Sequence, residues 1–347
     1  MLGSEAPSRF RRRGSEPAIK KSNAWGYACI LAVVLLWGSA ASVGRYLGEA
    51  GSPLTLSIWR LALGLVFLGL VRLAALAGPP AKRGARRRAG VRGLHDADSF
   101  SAVATSLFQR WLPVWIAGIL GYGLMIWLFF AAARTTLASH IVLILSLAPV
   151  STMLIARLTG DRQAARGSLW PTLLCLGGVT IMAAPQASGS GASLAGDVLA
   201  VLAMFSFSAY TVLTKRYGGD LPPLQLNTHG MSAGLLFLWA LLAITEKSMG
   251  LHAFDTPGQW TAIVYLGAAT TGLAYLLYTL ALARLPMDRV MPFIFLQPAV
   301  GVLLSAVWLA EALTLNVALG MCAIIGGLFW NHASRKMSAQ TIGRDPT

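Results

Sequence analysis

A chain of 347 residues that is 56% hydrophobic and 12% charged, with a mean hydropathy of +0.63, has too little polar material to coat a soluble globule of its size. Its net charge of +15 is carried by Lys and Arg runs without interleaved aromatic residues or a nucleic-acid-binding motif, so no nucleic-acid partner is needed to explain it. The composition predicts an all-α membrane protein.

The segment 1–24, with RFRRR and KK among Ser and Pro, predicts a disordered basic cytoplasmic tail. Ten apolar blocks follow, at 25–45, 53–72, 111–132, 136–157, 167–185, 194–214, 222–245, 258–280, 288–309 and 314–333. Each is about 20 residues long, enough for an α-helix to cross a hydrocarbon core about 30 Å thick. The first block is too long for a signal-peptide core and lacks a clear small-residue cleavage site. After the second block comes a basic insert, 78–98, which either touches anionic lipid headgroups or only sets topology. The stretch PQASGSGASLAGD contains a flexible linker at 186–193, and the segment 334–347 forms a cytoplasmic C-terminal tail.

Topology follows from the basic residues. With the N-terminus in the cytoplasm, 24 of the 28 Lys and Arg fall on the cytoplasmic side, against Arg45, Arg134 and Lys247 opposite and Arg60 within a span. That bias places both termini on the cytoplasmic side of the cell inner membrane and requires an even number of spans. Cys29, Cys175 and Cys322 each lie in a predicted span and read as buried small side chains.

The chain also repeats itself. Laid on itself so that Pro149 meets Pro298, it also matches Gly123-Leu124 to Gly272-Leu273, Ala132 to Ala281 and Leu147 to Leu296. A second, longer offset matches Pro53-Leu54 to Pro223-Leu224, Leu56 to Leu226 and Arg45 to Lys215. The second offset exceeds the first by close to the length of the basic insert, which the later half lacks. Ten spans then divide into two five-helix repeats, 25–185 and 194–333. An odd number of spans per repeat forces the second copy to enter from the opposite side. Inverted repeats of this kind are a common plan of secondary transporters, with the substrate near the midplane between the halves.

Three stretches, LLWGSAASVGRYLGEAGSPLTLSIWRLALG, SLAPVSTMLIARLTGDR and GLAYLLYTLALARLPMDRVMPFIFLQPAVGVLLSAVWLAEALTL, together resemble the EamA family of the drug/metabolite transporter superfamily over about residues 25–333. The resemblance implies a ten-helix carrier that exports or takes up amino acids, other small metabolites or toxic compounds. The chain departs from the family's Gly-Glu-Arg after span four and Gly-Glu after span nine, with Gly160-Asp161-Arg162 and Ala310-Glu311.

Covalent chemistry has no visible basis: there is no P-loop, no His-Glu-x-x-His and no Cys/His group with metal-ligand spacing, so neither enzyme activity, metal nor cofactor is expected. Polar groups at membrane depth are the candidates instead, because each costs free energy unless paired or hydrated. Arg60 lies seven residues past Pro53, about 10 Å into its span at 1.5 Å per residue. It reads either as a cation attracting an anionic or carboxylate-bearing substrate, or as a side chain that snorkels outward or pairs with a helix-end carbonyl or Glu49.

His140, near the outer mouth, is a candidate for proton coupling and Glu311 for gating, with plain structural roles as the competing readings. Gln297 precedes Pro298, where the Ile294 carbonyl loses its helical donor; its amide either recognises substrate or satisfies the broken backbone. Pro149 and Pro298 are the predicted helix breaks of spans four and nine. Trp37, Tyr122, Trp127, Tyr210, Tyr275 and Tyr278 suit an apolar cavity for a small organic molecule, though belts and cores also use such rings. The pairs Gly230/Gly234, Ala117/Gly121 and Ala323/Gly327 read as close helix contacts.

The resulting expectation is an alternating-access exporter of a small amphipathic compound. Uptake and a non-transporting scaffold or sensor are the alternatives.

Overall fold

The computed structural model describes residues 16–47, 50–77, 110–136, 147–160, 169–183, 193–219, 221–245, 254–300 and 315–342, with the single positions 141, 144, 145 and 303. Among these residues every regular element is helical and no strand occurs. In hydrocarbon a backbone N–H or C=O has no water to bond, and a helix satisfies both within one segment.

In chain order the helices are α1 (Glu16–Leu47), α2 (Pro53–Ala77), α3 (Arg110–Thr135), α4 (Ala148–Leu158), α5 (Leu169–Ala183), α6 (Leu194–Tyr217), α7 (Pro223–Thr245), α8 (Pro257–Arg284), α9 (Met287–Ile294) and α10 (Leu315–Ile342). Six of them, α1, α2, α3, α6, α7 and α8, are long and apolar enough to cross a membrane. Helix α2, with 25 residues, is about 37 Å long, and its mean hydropathy is 2.0. α1 begins at Glu16, inside the segment expected to be disordered, and α10 runs on to Ile342 through polar residues expected to form a tail. Neither extension is apolar, so both lengthen helices beyond hydrophobic stretches that already suffice to span.

Short polar signals fix the ends. Ser52 Oγ accepts from the Thr55 backbone N–H at 3.1 Å just before Pro53 opens α2, a first-turn position where proline's missing donor costs nothing. Thr256 caps α8 in a reciprocal capping box with Gln259. Past the end of α4 stands Gly160 at φ +85°, a conformation that L side chains resist.

Two helices change gauge midway. Residues Ile119–Leu124 of α3 and Tyr265–Leu273 of α8 form π-helical turns, with the widened backbone that such turns bring. Other helices cross at both stretches. α2 crosses the π-helical stretch of α8, and α7 crosses that of α3. α1 packs on the second half of α8 and α6 on the second half of α3; α9 meets α1 and α4 meets α6; α2 touches α7, and α5 pairs with α10.

Small residues permit the approach. A Cβ built on Gly118 would lie 2.1 Å from the Gly230 carbonyl oxygen, and one on Gly267 would lie 2.4 Å from Leu63 Cβ. Gly327 abuts Cys175 and the Pro171 carbonyl, joining α10 to α5. The expected packing pairs thus include true contact points. Cys29 and Cys175 are buried as expected, whereas Cys322 is exposed on α10. It lies on an outer face that also carries the exposed Leu319, Ile325 and Phe329, where lipid is the natural neighbour and a small apolar thiol needs no burial.

A turn at Leu147 interrupts the helical run beside Pro149, which stands two residues later in the first turn of α4. Pro298 likewise follows a turn, at Phe295, which separates α9 from a helical stretch over 296–300. In both places the break precedes the proline, so its missing N–H falls where a new helical turn has no need of it. Pro292, within α9, is a further proline in this region.

Candidate functional site

The core at the meeting of α1, α3, α6 and α8 is aromatic. Trp37 on α1 packs at 5.6 Å from Phe207, 5.0 Å from Tyr275 and 5.2 Å from Tyr278, measured between ring centroids. Tyr122 lies 4.6 Å from Tyr275 and 5.1 Å from Tyr210, mostly edge to face, the arrangement that aromatic quadrupoles favour. Five of the six rings singled out in the sequence therefore converge. Trp127 packs half-buried against the same core but outside this group.

The hydroxyls of these rings are wired together. Tyr210 and Tyr122 are hydrogen-bonded at 2.8 Å, and Tyr122 donates to Asn227 Oδ1 on α7 at 2.7 Å; since each phenol has one proton, Tyr210 is the donor in the first bond. Asn227 Nδ2 donates to the Pro223 carbonyl at 2.7 Å and to Thr279 Oγ1 at 2.6 Å. Tyr278 and Thr211 share a bond of 2.9 Å, and Trp37 Nε1 donates to the Thr270 carbonyl at 2.9 Å. The chain of bonds through Asn227, which is fully buried, ties α3, α6, α7 and α8, and the Trp37 bond adds α1 to α8.

Arg60 is buried beside this cluster, at 8% of its free exposure. Its Nε donates to Thr271 Oγ1 at 2.8 Å and its Nη2 to Thr270 Oγ1 at 3.2 Å. Phe130 lies under the guanidinium, with Cζ 5.9 Å from the ring centroid. Among the described residues no carboxylate pairs with it; Glu49 lies outside them. Thr270 joins the two features, accepting from Trp37 through its backbone and from Arg60 through its side chain.

At the other end of α8, Lys215 Nζ donates to the carbonyls of Leu282 and Leu285, the latter at 2.9 Å, and so caps the helix with a cation where its dipole is negative. A cavity between α6, α7 and α8 is lined by Lys215, Gly218, Leu226, Thr279 and Leu282. Gln297 is half-buried; among the described residues its amide makes no hydrogen bond, while its backbone carbonyl faces Gly38. His140 and Glu311 lie outside the described residues, as do the insert 78–98 and residues 186–192 of the linker.

Phe207, Asn227, Thr270, Thr271 and Thr279 belong to these clusters and escaped the sequence reading, where Lys215 entered only as a repeat match and a charge. For Asn227, Thr270 and Thr271 the available signal was polarity: NTHG in α7 and ATTG in α8 are uncharged polar runs inside apolar blocks.

Apolar helices of spanning length around a buried polar and aromatic seam define a multi-pass membrane protein. The EamA-like transporter family matches residues 24–184 and 194–332, and the chain belongs to that family, one of transporters and not of enzymes. The uncharacterized transporter YetK of Bacillus subtilis (strain 168) is 24% identical over 46% of this chain and 48% of its own length, so the chain spans about half of that relative. The probable terminal-alkyne amino-acid exporter of Streptantibioticus cattleyicolor is 27% identical over 58% of this chain and 67% of its own length. A solved structure described only as "Crystal structure of protein" superimposes with a TM-score of 0.65 at 19% identity, covering 89% of this chain and 95% of that one, a likeness of fold alone.

Proposed function

We propose that this protein is a secondary carrier of the inner membrane that exports a small amphipathic metabolite or amino acid, with both termini in the cytoplasm. In this reading ten spans form two inverted five-helix halves, 25–185 and 194–333, which rock about their shared seam. The observation that carries it is the pairing of contacts under the two repeat offsets. Gly64 abuts Gly267 and Gly272 as Gly234 abuts Gly118 and Gly123, and Gly26 meets Leu285 as Gly196 meets Thr136. Gly38 faces the Gln297 carbonyl, and Ser208 bonds the Ala148 carbonyl at 3.3 Å. Both π-helical stretches fall on the same element of each half.

Between such halves the substrate passes Trp37, Tyr122, Tyr210, Tyr275 and Tyr278, with Arg60 on its outer side. The exporter name of the S. cattleyicolor relative supports the direction and the amino-acid class. The test is counterflow in proteoliposomes with a broad metabolite panel, followed by inside-out and right-side-out vesicles to fix direction. Accelerated exchange of one or more compounds, with net movement outward, is expected. Exchange with net inward movement would make it an uptake carrier. Absence of flux for the whole panel, together with a stable partner in pull-down, would make it a scaffold.

A further inference from the structure

Arg60 is a permanent cation in surroundings that supply no counter-charge among the described residues. A guanidinium is a planar group with two forks of N–H donors, one formed by Nε with Nη2 and one by Nη1 with Nη2. The first fork is occupied by Thr271 and Thr270. Those hydroxyls are themselves fixed, since each donates its proton to the Leu266 carbonyl, at 2.8 Å from Thr270 and 2.9 Å from Thr271. They therefore present only lone pairs to Arg60. The bond from Thr271 reaches five residues back, along the widened turn of α8, so the π-helix helps to set the cradle.

On the second fork Nη1 makes no hydrogen bond among the described residues, and Nη2, which has two N–H groups, uses one of them on Thr270. Two neutral hydroxyls and a ring orient the cation without neutralising it, and an uncompensated charge away from bulk water is costly. Packing does not require that cost: at the position equivalent to Arg60 under the longer offset the other half has Gly230, whose space Tyr122 fills. The chemistry matched by a vacant guanidinium fork is a planar two-oxygen anion. What lies next to it decides the rest of the ligand. Thr270 accepts both the Arg60 Nη2–H and the Trp37 indole N–H, and Trp37 sits 5.0 Å from Tyr275, so the cation adjoins the wall of aromatic rings.

We propose that the Nη1/Nη2 fork of Arg60 holds the carboxylate of the transported compound and that its organic body lies along Trp37 and Tyr275. The substrates are then amphipathic carboxylates, such as hydrophobic amino acids and arylalkanoates, and a free amino group is not the feature recognised. This rests on the carrier reading above.

Four probes that differ in one group at a time test it on the purified full-length chain: phenylalanine, 3-phenylpropanoate, phenylalanine amide and phenethylamine. Equilibrium binding is measured by ligand-induced thermal stabilisation, and counterflow is measured for each. Phenylalanine and 3-phenylpropanoate are expected to bind at least about tenfold more tightly than the amide and the amine, because a site built for a hydrogen-bonding group rejects analogues that lack it. Arg60→Gln should bring all four within about twofold of one another, and Arg60→Lys should keep the preference at lower affinity. Equal binding of acids, amide and amine to the wild-type chain would overturn the proposal even if the variants fail to fold, and so would an unchanged preference in Arg60→Gln. Counterflow of the amine or amide without the acids would remove the carboxylate class and leave the carrier standing. No counterflow of any compound in these or the broad panel would remove both.

Discussion

Where α2 crosses α8, Gly64 rests on the backbone of Gly267 and Gly272; where α7 crosses α3, Gly234 rests on Gly118 and Gly123. A Cβ on Gly64 would stand 3.2 Å from the Gly267 carbonyl oxygen, and one on Gly234 would stand 3.0 Å from that of Gly118. The two crossings have nearly the same backbone approach, yet one turn away the first carries Arg60 and the second Gly230. Against Arg60 stand two threonine hydroxyls, and against Gly230 stands the ring of Tyr122. Small residues at fixed spacing set the scaffold, and the residue one turn further sets the chemistry. The seam is thus cationic on one side and aromatic with an amide hub on the other, the contrast on which the proposed amphipathic substrate rests.

The largest expected effect breaks the shared part of this comparison. Gly118→Ala places a methyl group 2.1 Å from the Gly230 carbonyl oxygen and 2.5 Å from its Cα, atoms that move only if the helices part. A loss of about 3 kcal/mol is expected, at the upper end of overpacking effects. The equivalent Gly267→Ala first meets Leu63 Cβ at 2.4 Å and the Arg60 carbonyl at 2.9 Å, so a smaller loss of about 1–2 kcal/mol should follow. Melting of the purified variants ranks them. The reverse order would show that the α2–α8 crossing, not α7–α3, is the tighter joint.

Next in size is the amide hub. Asn227→Leu leaves Tyr122 without its acceptor and strips a donor from both the Pro223 carbonyl and Thr279, all of them buried or half-buried. A cost of about 2 kcal/mol is expected for the orphaned groups. Tyr122→Phe alone should cost about 1 kcal/mol, and the double variant less than the sum, because the two side chains share one bond. Strict additivity in a double-mutant cycle would mean that the hydroxyl network is not coupled.

Lys215→Met removes the cation that caps α8, and a loss of about 1 kcal/mol is expected, since Lys215 is only half-buried and water can replace part of what it supplies. A melting temperature equal to the wild type would show that the carbonyls of Leu282 and Leu285 are already hydrated.

What could be read in the sequence, and what could not, divides along physical lines. Arg60 stood out because a charge inside an apolar block is costly wherever it points, and the rings stood out because few residue types serve a small-molecule cavity. The family, the helical class and some of the sites of close approach, Gly230, Gly234 and Gly327 among them, followed from the three quoted stretches, from block length and from small residues four apart. Asn227, Thr270, Thr271 and Thr279 did not, because each also bonds a carbonyl four or five residues back in its own helix and so costs little in any span. Only their convergence marks them, and convergence has no linear signature. The π-helical stretches were equally silent: the shift of backbone partner by one residue leaves no trace in composition. Trp127 shows the converse, a ring in the right helix that packs outside the group.

The smallest expected effect bears on the part of the comparison that the two crossings do not share. Thr270→Val keeps the shape of the side chain and removes the acceptor of the longer Arg60 bond, at 3.2 Å, while Thr271 still holds Nε at 2.8 Å. Side-chain hydrogen bonds inside membranes average about 0.6 kcal/mol, so stability should fall by roughly that amount. The consequence for Arg60 is directional: with Nη2 released, the guanidinium pivots about its remaining bond and its second fork is held less firmly. Affinity for 3-phenylpropanoate should drop severalfold while the weaker affinity for phenethylamine stays put, and Thr270→Ser should restore the difference. Equal losses for both probes would mean that Thr270 acts through packing of α8 and not through the orientation of the cation.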